Sequence, residues 1–302
     1  MKAKNFFSTM RQMFDSDRMA EVASALAGNK SRTMLTAFGI FWGVFMLVLL
    51  LGGGKGLQGL MMSQFGGFAE NTGAIAARNT TKAYKGYAKG REWSLSIRDV
   101  DGLRKSVSGI SVIVPTVAEW GVPAKYSKRT CTVSSFRGVL PDQQRIETPK
   151  LKYGRYINDT DVSQGRKVCV IGKRVFEELF TNGENPCGKY ICVDGIYYEV
   201  VGVDISTSNV GIAGQPQESV MIPYSVMRNI RNYGDKVDII TFTANGNTTV
   251  ASLEKRVRQY LYRAHDVHPG DREAMEFFNA EMLFQMFNNL FRGINILVWL
   301  IG

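Results

Sequence analysis

The sequence predicts an α+β domain, a mixed sheet with βαβ-like units and an inserted subdomain, anchored by an N-terminal transmembrane helix. Three patterns predict it. Thr33 to Gly54 reads "TMLTAFGIFWGVFMLVLLLGGG", 22 residues without a charge between Arg32 and Lys55. Residues 63–285 then alternate strand-like segments with amphipathic stretches, the mixture expected of an α+β fold. The chain closes on a second apolar run, "INILVWLIG".

The first 32 residues carry Lys2, Lys4, Arg11, Arg18, Lys30 and Arg32 against Asp15, Asp17 and Glu21. This short basic flank puts the N-terminus in the cytoplasm, because long segments beyond a span translocate regardless of charge. Within it, Met19, Val22, Ala23 and Leu26 fall at i, i+3, i+4 and i+7, predicting a helix from near Asp17 to Gly28. That helix would lie on the inner leaflet and touch a cytoplasmic partner; a simple basic anchor is the alternative.

The span itself needs about 20 apolar residues to cross about 30 Å of hydrocarbon. Eleven of the 22 are Leu, Ile, Phe or Val, together worth roughly −3 to −7 kcal/mol on the insertion scale. A buried core helix would carry a polar stripe, and none is present. A cleaved signal peptide would have a shorter apolar region and a small-residue cleavage site. The expectation is an uncleaved signal-anchor with everything after about Gly54 outside the membrane.

The stretch "LLLGGGKGLQG" imitates a phosphate-binding loop. In the template G-x-x-x-x-G-K-[ST], Gly54-Lys55 would be the G-K pair, but Leu49 stands at the first glycine and Gly56 at the hydroxyl position. The cluster is instead read as the outer end of the span. There Lys55 snorkels toward the headgroups, and Gly52 to Gly56 allow close approach to a neighbour or a bend.

In the domain that follows, "TGAIAARN", "REWSLSI", "GISVIVPTVAEW" and "RTCTVSSFRGV" read as strands and "RDVDGLRKSV" as a short helix. "KVCVIGKRVFEELF" is a strand turning through Gly172 into a helix that buries Val175, Phe176, Leu179 and Phe180. "GKYICVDGIYYEVVGVD" is a hairpin turning on Asp194-Gly195. "SVMIPYSVMRNI" repeats strand–Pro–helix, and "DIITFTA" with "TTVASLEKRVRQYLYRAHDV" supplies a last strand and an amphipathic helix. Gly and Pro breaks near 138–141 and 211–216 bracket the insertion. The predicted organisation is a cytoplasmic segment 1–32, a membrane helix 33–54, a core domain 55–140 and 215–285, an inserted subdomain 141–214, and the start of a second membrane helix at 286–302. Only ten residues follow Arg292, too few to span, so the chain is expected to be part of a longer membrane protein.

Chemistry is sparse in this pattern. The 302 residues are 45% hydrophobic and 21% charged with a net charge of +10, which excludes a disordered chain. No run of five Lys or Arg occurs, so a nucleic-acid groove is not expected. Cys131, Cys169, Cys187 and Cys192 form no C-x-x-C pair; they read as small core residues, with a disulfide between two of them as the alternative. His265 and His268, in "RAHDVHPGD", have the spacing of a metal pair but no evident co-ligands, and Pro269 breaks the helix. They are read as a polar helix end. No G-x-S-x-G elbow occurs, and the sequons at Asn79, Asn158 and Asn247 matter only in a eukaryotic secretory pathway. Trp93, Trp120, Tyr126 and Arg129 offer aromatic and basic surface. No catalytic, cofactor-binding or metal residue is assigned.

Several motifs in this order resemble one family. "ALAGNKSRTMLTAFGIFWGV" is similar to its first membrane helix, and "ISVIVPTV" and "FRGVLPD" to its extracytoplasmic core strands. The densest likeness is "YGRYINDTDVSQGRKVCVIGKRVFEELFTNGENPCGKYICVDGIYYEVVGV", with Gly154-Arg155, Asp161, Val170, Gly172, Leu179-Phe180, Pro186, Gly188-Lys189, Gly195 and Val201-Gly202-Val203 in the family's places. "RAHDVHPGDREAMEFFN" is similar to the stretch before its second membrane helix. The chain thus resembles the permeases of MacB/FtsX-like (type VII) ABC transporters, with a MacB-like periplasmic core domain.

The resemblance implies a non-enzymatic permease subunit in the bacterial cytoplasmic (inner) membrane, with four membrane helices and a large periplasmic domain between the first two. It implies an export (efflux) or mechanotransmission complex driven by a separate ABC ATPase subunit, which alone binds ATP. It also implies a homodimer or a heterodimer with another permease, a periplasmic adaptor protein as a further partner, the lipid bilayer as surroundings, and no nucleic acid. The alternative is a single-span anchored periplasmic adaptor without transport activity; a membrane-anchored enzyme is a third reading.

Overall fold

The computed structural model describes residues 28–301; the helix expected from Asp17 falls on residues 1–27, outside the described ones. The chain divides into two compact units. One runs from Gly59 to Asn289, and the other comprises the segments before and after it.

The apolar run lies in α1 (Lys30–Ser63), of which Lys30–Met61 is the single described helix long and apolar enough to cross a membrane, its most apolar 18 residues having mean hydropathy 2.4. The helix does not stop at the glycines. Gly52, Gly53, Gly54, Gly56 and Gly59 all lie inside it. Each helical glycine costs about 1 kcal/mol relative to Ala, but breaking the helix would strand several backbone groups without partners. A Cβ on Gly54 would lie 3.9 Å from Ile294, whereas nothing approaches Gly52, Gly53 or Gly56 within 4 Å.

The unit from Gly59 onward opens with β1 (Thr72–Ala77) and β2 (Leu95–Ser96), then α2 (Ile97–Ser106). The strand expected over "REWSLSI" shrinks to two residues, paired only with β10 (Lys236–Val237). Side chains end it on both sides. The Trp93 indole donates to the Arg78 and Ala274 carbonyls, and Asp99 accepts from the Ser96 N–H and hydroxyl to start α2.

Long β3 (Ile110–Tyr126) and β4 (Arg129–Val139) follow. Next come β5 (Leu151–Gly154), α3 (Asp159–Ser163), β6 (Val168–Gly172) and α4 (Lys173–Leu179). The predicted hairpin is β7 (Tyr190–Val193) and β8 (Ile196–Asp204), with Asp194 and Gly195 at φ 47° and 82° as a two-residue turn of this kind requires. The chain continues through β9 (Ser219–Pro223), α5 (Tyr224–Ile230), β10, β11 (Ile239–Ala244), α6 (Val250–Ala264), β12 (Met275–Asn279) and α7 (Ala280–Ile301).

One sheet holds most strands, in the order β12-β1-β11-β3-β4-β9-β6-β8-β5, with β7 bridging β3 and β8. Strand β3 is its spine. Its first half pairs with β11 through Thr116, and its second half, from Val117, pairs with β4. The core divides accordingly. One cluster holds Ile75, Ile113, Ile240 and Phe242 under α2 and α6, whose Val250, Leu253, Val257 and Leu261 form the buried stripe. The other holds Val133, Phe136, Ile171, Leu179, Tyr198 and Ile222. Segment 141–214 contributes β5 to β8 to this second cluster, but β3, β4, β9 and α5 also pack into it.

Candidate functional site at the helix-to-sheet joint

One junction of the domain lies where the chain leaves α1 and where α7 begins. Past Ser63, whose hydroxyl donates back to the Leu60 carbonyl, the Gln64 carbonyl accepts from the Asn209 N–H and the Ser208 hydroxyl, each at 3.0 Å. Phe65 packs its ring against Phe284 and Phe287 at 4.9 and 5.6 Å between centroids. Phe68 meets Phe278 edge-on at 6.4 Å. Between them Gly67, at φ +84°, lets its carbonyl accept the Thr148 N–H at 2.7 Å, and Ala69 N–H reaches the Ile146 carbonyl at 2.8 Å. No side chain fits at Gly67: a Cβ would lie 2.7 Å from the Thr148 carbonyl oxygen.

The start of α7 is tied down as firmly. Asn279 Oδ1 accepts from the Met282 N–H at 3.0 Å, as a helix cap does. Glu281 Oε2 accepts from the Val250 N–H, the first of α6, at 2.6 Å. Phe68, Ala74, Val112, Val114, Ile146, Ile212, Ala280 and Phe284 close into one buried cluster. The residues after α1 and the first turns of α7 therefore share a single hydrophobic core.

A buried ion pair extends this joint into the rest of the sheet. Arg137 on β4 is fully buried and donates to both carboxylate oxygens of Glu147, at 2.9 and 3.2 Å. The same guanidinium donates to the Ile212 carbonyl and, at 3.2 Å, to the Ser219 hydroxyl at the start of β9. Glu147 also accepts the Ile212 N–H. Glu147 is bridged to Phe68 in the joint, so Arg137 connects β4, β9 and the 208–213 loop to the base of α1. Breaking such a pair leaves an uncompensated buried charge, the costly case.

The residues singled out in the sequence lie elsewhere in separate groups: Trp93 packs on His265 at 4.9 Å between ring centroids, and Tyr126 stands opposite Arg129 where β3 turns into β4. His265 Nε2 sits 2.9 Å from Asp99 Oδ1 at the end of α6, while His268 Nδ1 accepts the Gly270 N–H at 3.0 Å. Burial alone would raise the Asp99 carboxyl, but hydrogen bonds with His265 and Ser96 outweigh it and hold it below its ordinary value. Among the described residues no group of three His, Cys, Asp or Glu could hold a metal. Cys131 and Cys169 are buried and Cys187 and Cys192 partly so, all four as free thiols; burial pushes Cys131 up to about 11 and raises Cys169 and Cys187 too. Such thiols are poor nucleophiles at neutral pH. Lys55 lies exposed in α1 and Trp120 is 62% exposed on β3. The Arg129 guanidinium donates to the Leu179 carbonyl, and Tyr126 stacks on Phe180 at 4.2 Å. Arg137 and Glu147 carried a signal the sequence reading passed over: a cation inside the apolar strand "SSFRGV".

The joint ties the residues that follow α1 and the first turns of α7 into the core beside the sheet. The model of the MacB-like periplasmic core domain matches residues 33–260.

The chain belongs to the family of the MacB-like periplasmic core domain. Relatives of it include the macrolide export ATP-binding/permease protein MacB of Aggregatibacter actinomycetemcomitans, 27% identical over 259 residues. The match covers 84% of this chain and 38% of that protein. The pyoverdine export ATP-binding/permease protein PvdT of Pseudomonas fluorescens is 26% identical over 84% of this chain and 37% of its own length. The chain thus spans about two fifths of these relatives. Among solved structures, the periplasmic region of MacB from Actinobacillus actinomycetemcomitans superposes with a TM-score of 0.57 at 22% identity, covering 74% of this chain and 96% of that one. The extracellular domain of the noncanonic ABC-type transporter YknZ from Gram-positive bacteria gives 0.55 at 19% identity, covering 69% and 100%. The fold is therefore that of the family's periplasmic domains, a mixed α+β sheet carried behind an apolar N-terminal helix.

Proposed function

We propose that this chain is a permease subunit of an ATP-driven export or mechanotransmission complex, working without chemistry of its own. The observation that carries the reading is the joint, where one core and one buried ion pair tie the residues after α1 and the first turns of α7 to the sheet. In this reading a separate ABC ATPase binds and hydrolyses ATP on the cytoplasmic side, and displacement of α1 and α7 moves the periplasmic domain. The N-terminus is cytoplasmic, and the domain between the helices lies outside the bacterial inner membrane. The subunit dimerises with itself or with a second permease, and a periplasmic adaptor docks on the domain. The division into a core (55–140 and 215–285) and an inserted subdomain (141–214) belongs to the same proposal; the two core clusters flanking β3 support two lobes. Support for an exporter comes from the relatives whose names describe macrolide and pyoverdine export.

The competing reading is a single-span anchored adaptor, whose anchor would be the apolar helix Lys30–Met61. Co-purification with a Walker-motif ATPase, and export lost when that ATPase is removed, supports the permease; an anchored protein with no ATPase partner and unchanged export refutes it. Alkaline phosphatase fused after Asn289 should be active and the same enzyme fused at the N-terminus inactive. The reverse pattern overturns the orientation.

A further inference from the structure

One face of α6 turns mostly away from the core, with Tyr262 alone of its residues buried. Lys255, Arg258, Gln259, Tyr262 and Arg263 recur at i, i+3, i+4, i+7 and i+8, and with Tyr84, Lys85, Val267 and Pro269 they line a cleft of about 520 Å³. Ligand cavities for small organic molecules run from roughly 300 to 1,000 Å³. The opposite wall is a built turn. Tyr84 and Tyr87 exchange backbone hydrogen bonds at 3.1 and 2.9 Å, with Lys85 and Gly86 at φ 47° and 84°.

That turn is held rigidly against the end of α6. The fully buried Asp271 accepts the Thr81 N–H and hydroxyl at 2.7 Å each and the Lys82 N–H at 3.0 Å. Lys82 Nζ donates to the Gly270 carbonyl, and Arg91 donates to the carbonyls of His265 and Asp266. His268 meets Tyr84 edge-on at 5.4 Å. The "RAHDVHPGD" segment thus serves to fix a cleft wall.

The charge inside is one-sided. Four cations line the cleft, and two carboxylates answer them: Asp266 pairs with Lys85 at 2.7 Å and Glu254 with Arg258 at 2.8 Å. Arg258 is further occupied by the Tyr262 hydroxyl and the Arg272 and Met275 carbonyls. Lys255 and Arg263 form no ion pair within 4.0 Å among the described residues, and a solvated helix face would not set them above a pre-formed pocket walled by Tyr84, Val267 and Pro269.

We infer that this cleft binds a small amphiphilic anion, a carboxylate or phosphate carried on a ring or short acyl body. Lys255 and Arg263 hold the anion, since a guanidinium fork suits both groups, and Tyr84, Val267 and Pro269 take the apolar body. The inference stands whether or not the protein works as a permease.

The test is calorimetric titration of the full chain in nanodiscs of zwitterionic lipid, with empty discs as blank. 1-Naphthyl phosphate should bind at least ten-fold more tightly than either 1-naphthol or inorganic phosphate. Lys255→Gln with Arg263→Gln should weaken it at least ten-fold without altering the melting curve, both side chains being exposed. Tyr84→Ala should weaken naphthyl phosphate more than inorganic phosphate. Tighter binding of dihexanoyl phosphatidic acid than of naphthyl phosphate assigns a lipid source, and the reverse order a free solute. Heat no greater than from empty discs, naphthol binding as tightly as its phosphate, or a double variant indistinguishable from the parent overturns the proposal.

Discussion

Glu147→Gln is the sharpest probe of the joint. The carboxylate receives two hydrogen bonds from a fully buried guanidinium and one from the Ile212 N–H. Glutamine keeps one acceptor oxygen and removes the charge, leaving the Arg137 cation buried with neutral partners. Breaking a buried pair in this way costs about 3–5 kcal/mol, and the retained acceptor places the expected loss near 3 kcal/mol. In a domain of this size each kcal/mol lowers Tm by roughly 2–4 °C, so the melt should fall by about 6–12 °C. Scanning calorimetry of the full chain at pH 7 reads it directly. Arg137→Met should also destabilise. The double variant should lose less than the sum of the two, by at least ~1 kcal/mol, because the second substitution removes the stranded charge. It should not recover fully, since the Ile212 carbonyl and the Ser219 hydroxyl lose the guanidinium that donates to them. A Tm drop below about 2 °C for Glu147→Gln, or single effects that add within about 0.5 kcal/mol, would refute the claim that this pair stiffens the joint.

Three further outcomes are expected. Gly67→Ala forces a Cβ against the Thr148 carbonyl oxygen at a positive φ, costing about 1–3 kcal/mol; in the assembled complex, ATP hydrolysis should persist while export falls, and export at the parental rate argues against coupling through this turn. Gly172→Ala would place its Cβ 2.2 Å from the Pro216 carbonyl oxygen, a backbone atom that cannot swing aside, so a loss of about 1–3 kcal/mol in a denaturant melt is expected, and a neutral result contradicts the packing there. At Asp161, burial would raise the carboxyl, but hydrogen bonds from Arg155 and the Asn158 N–H outweigh it and hold it below the ordinary 3.8. A depressed folded-state value means its stabilisation is complete above the unfolded value and is lost as pH falls through the folded one. The stability gap between parent and Asp161→Asn should therefore be widest near pH 7 and shrink in acid; a gap that widens on acidification refutes the assignment.

What the sequence disclosed was what a few neighbouring residues decide. The Asp194-Gly195 hairpin, the turn at Gly172 and the stripe on α6 are each set within one or two turns of chain, and each appears in the structure. The joint depends instead on meetings between distant segments, such as Gln64 with Asn209 and Phe65 with Phe284. No periodicity encodes those. The division of β3 was equally hidden, because a 17-residue strand looks the same whether one neighbour or two share its length. Strand β2 was overread, since alternation around Trp93 does not reveal that an indole donor and a capping carboxylate cut the ladder short. Arg137 alone left a visible mark, and reading it required asking what a buried cation in an apolar strand would face.

Strands β1 and β12 run antiparallel side by side, with Gly73 opposite Asn279 and Ala77 opposite Met275. The chain enters β1 shortly after α1, and it leaves β12 directly into α7, so both lines of load reach the ladder at the same end. Such a ladder is mechanically anisotropic. Sliding one strand lengthwise past the other loads all the rungs together in shear, where they resist as a set. Prising the two strands apart at this end loads the Gly73–Asn279 rung first and peels the rest in turn, like a zip. A lengthwise stroke would be passed on to the sheet nearly rigidly, while a lateral spread would be spent at this seam.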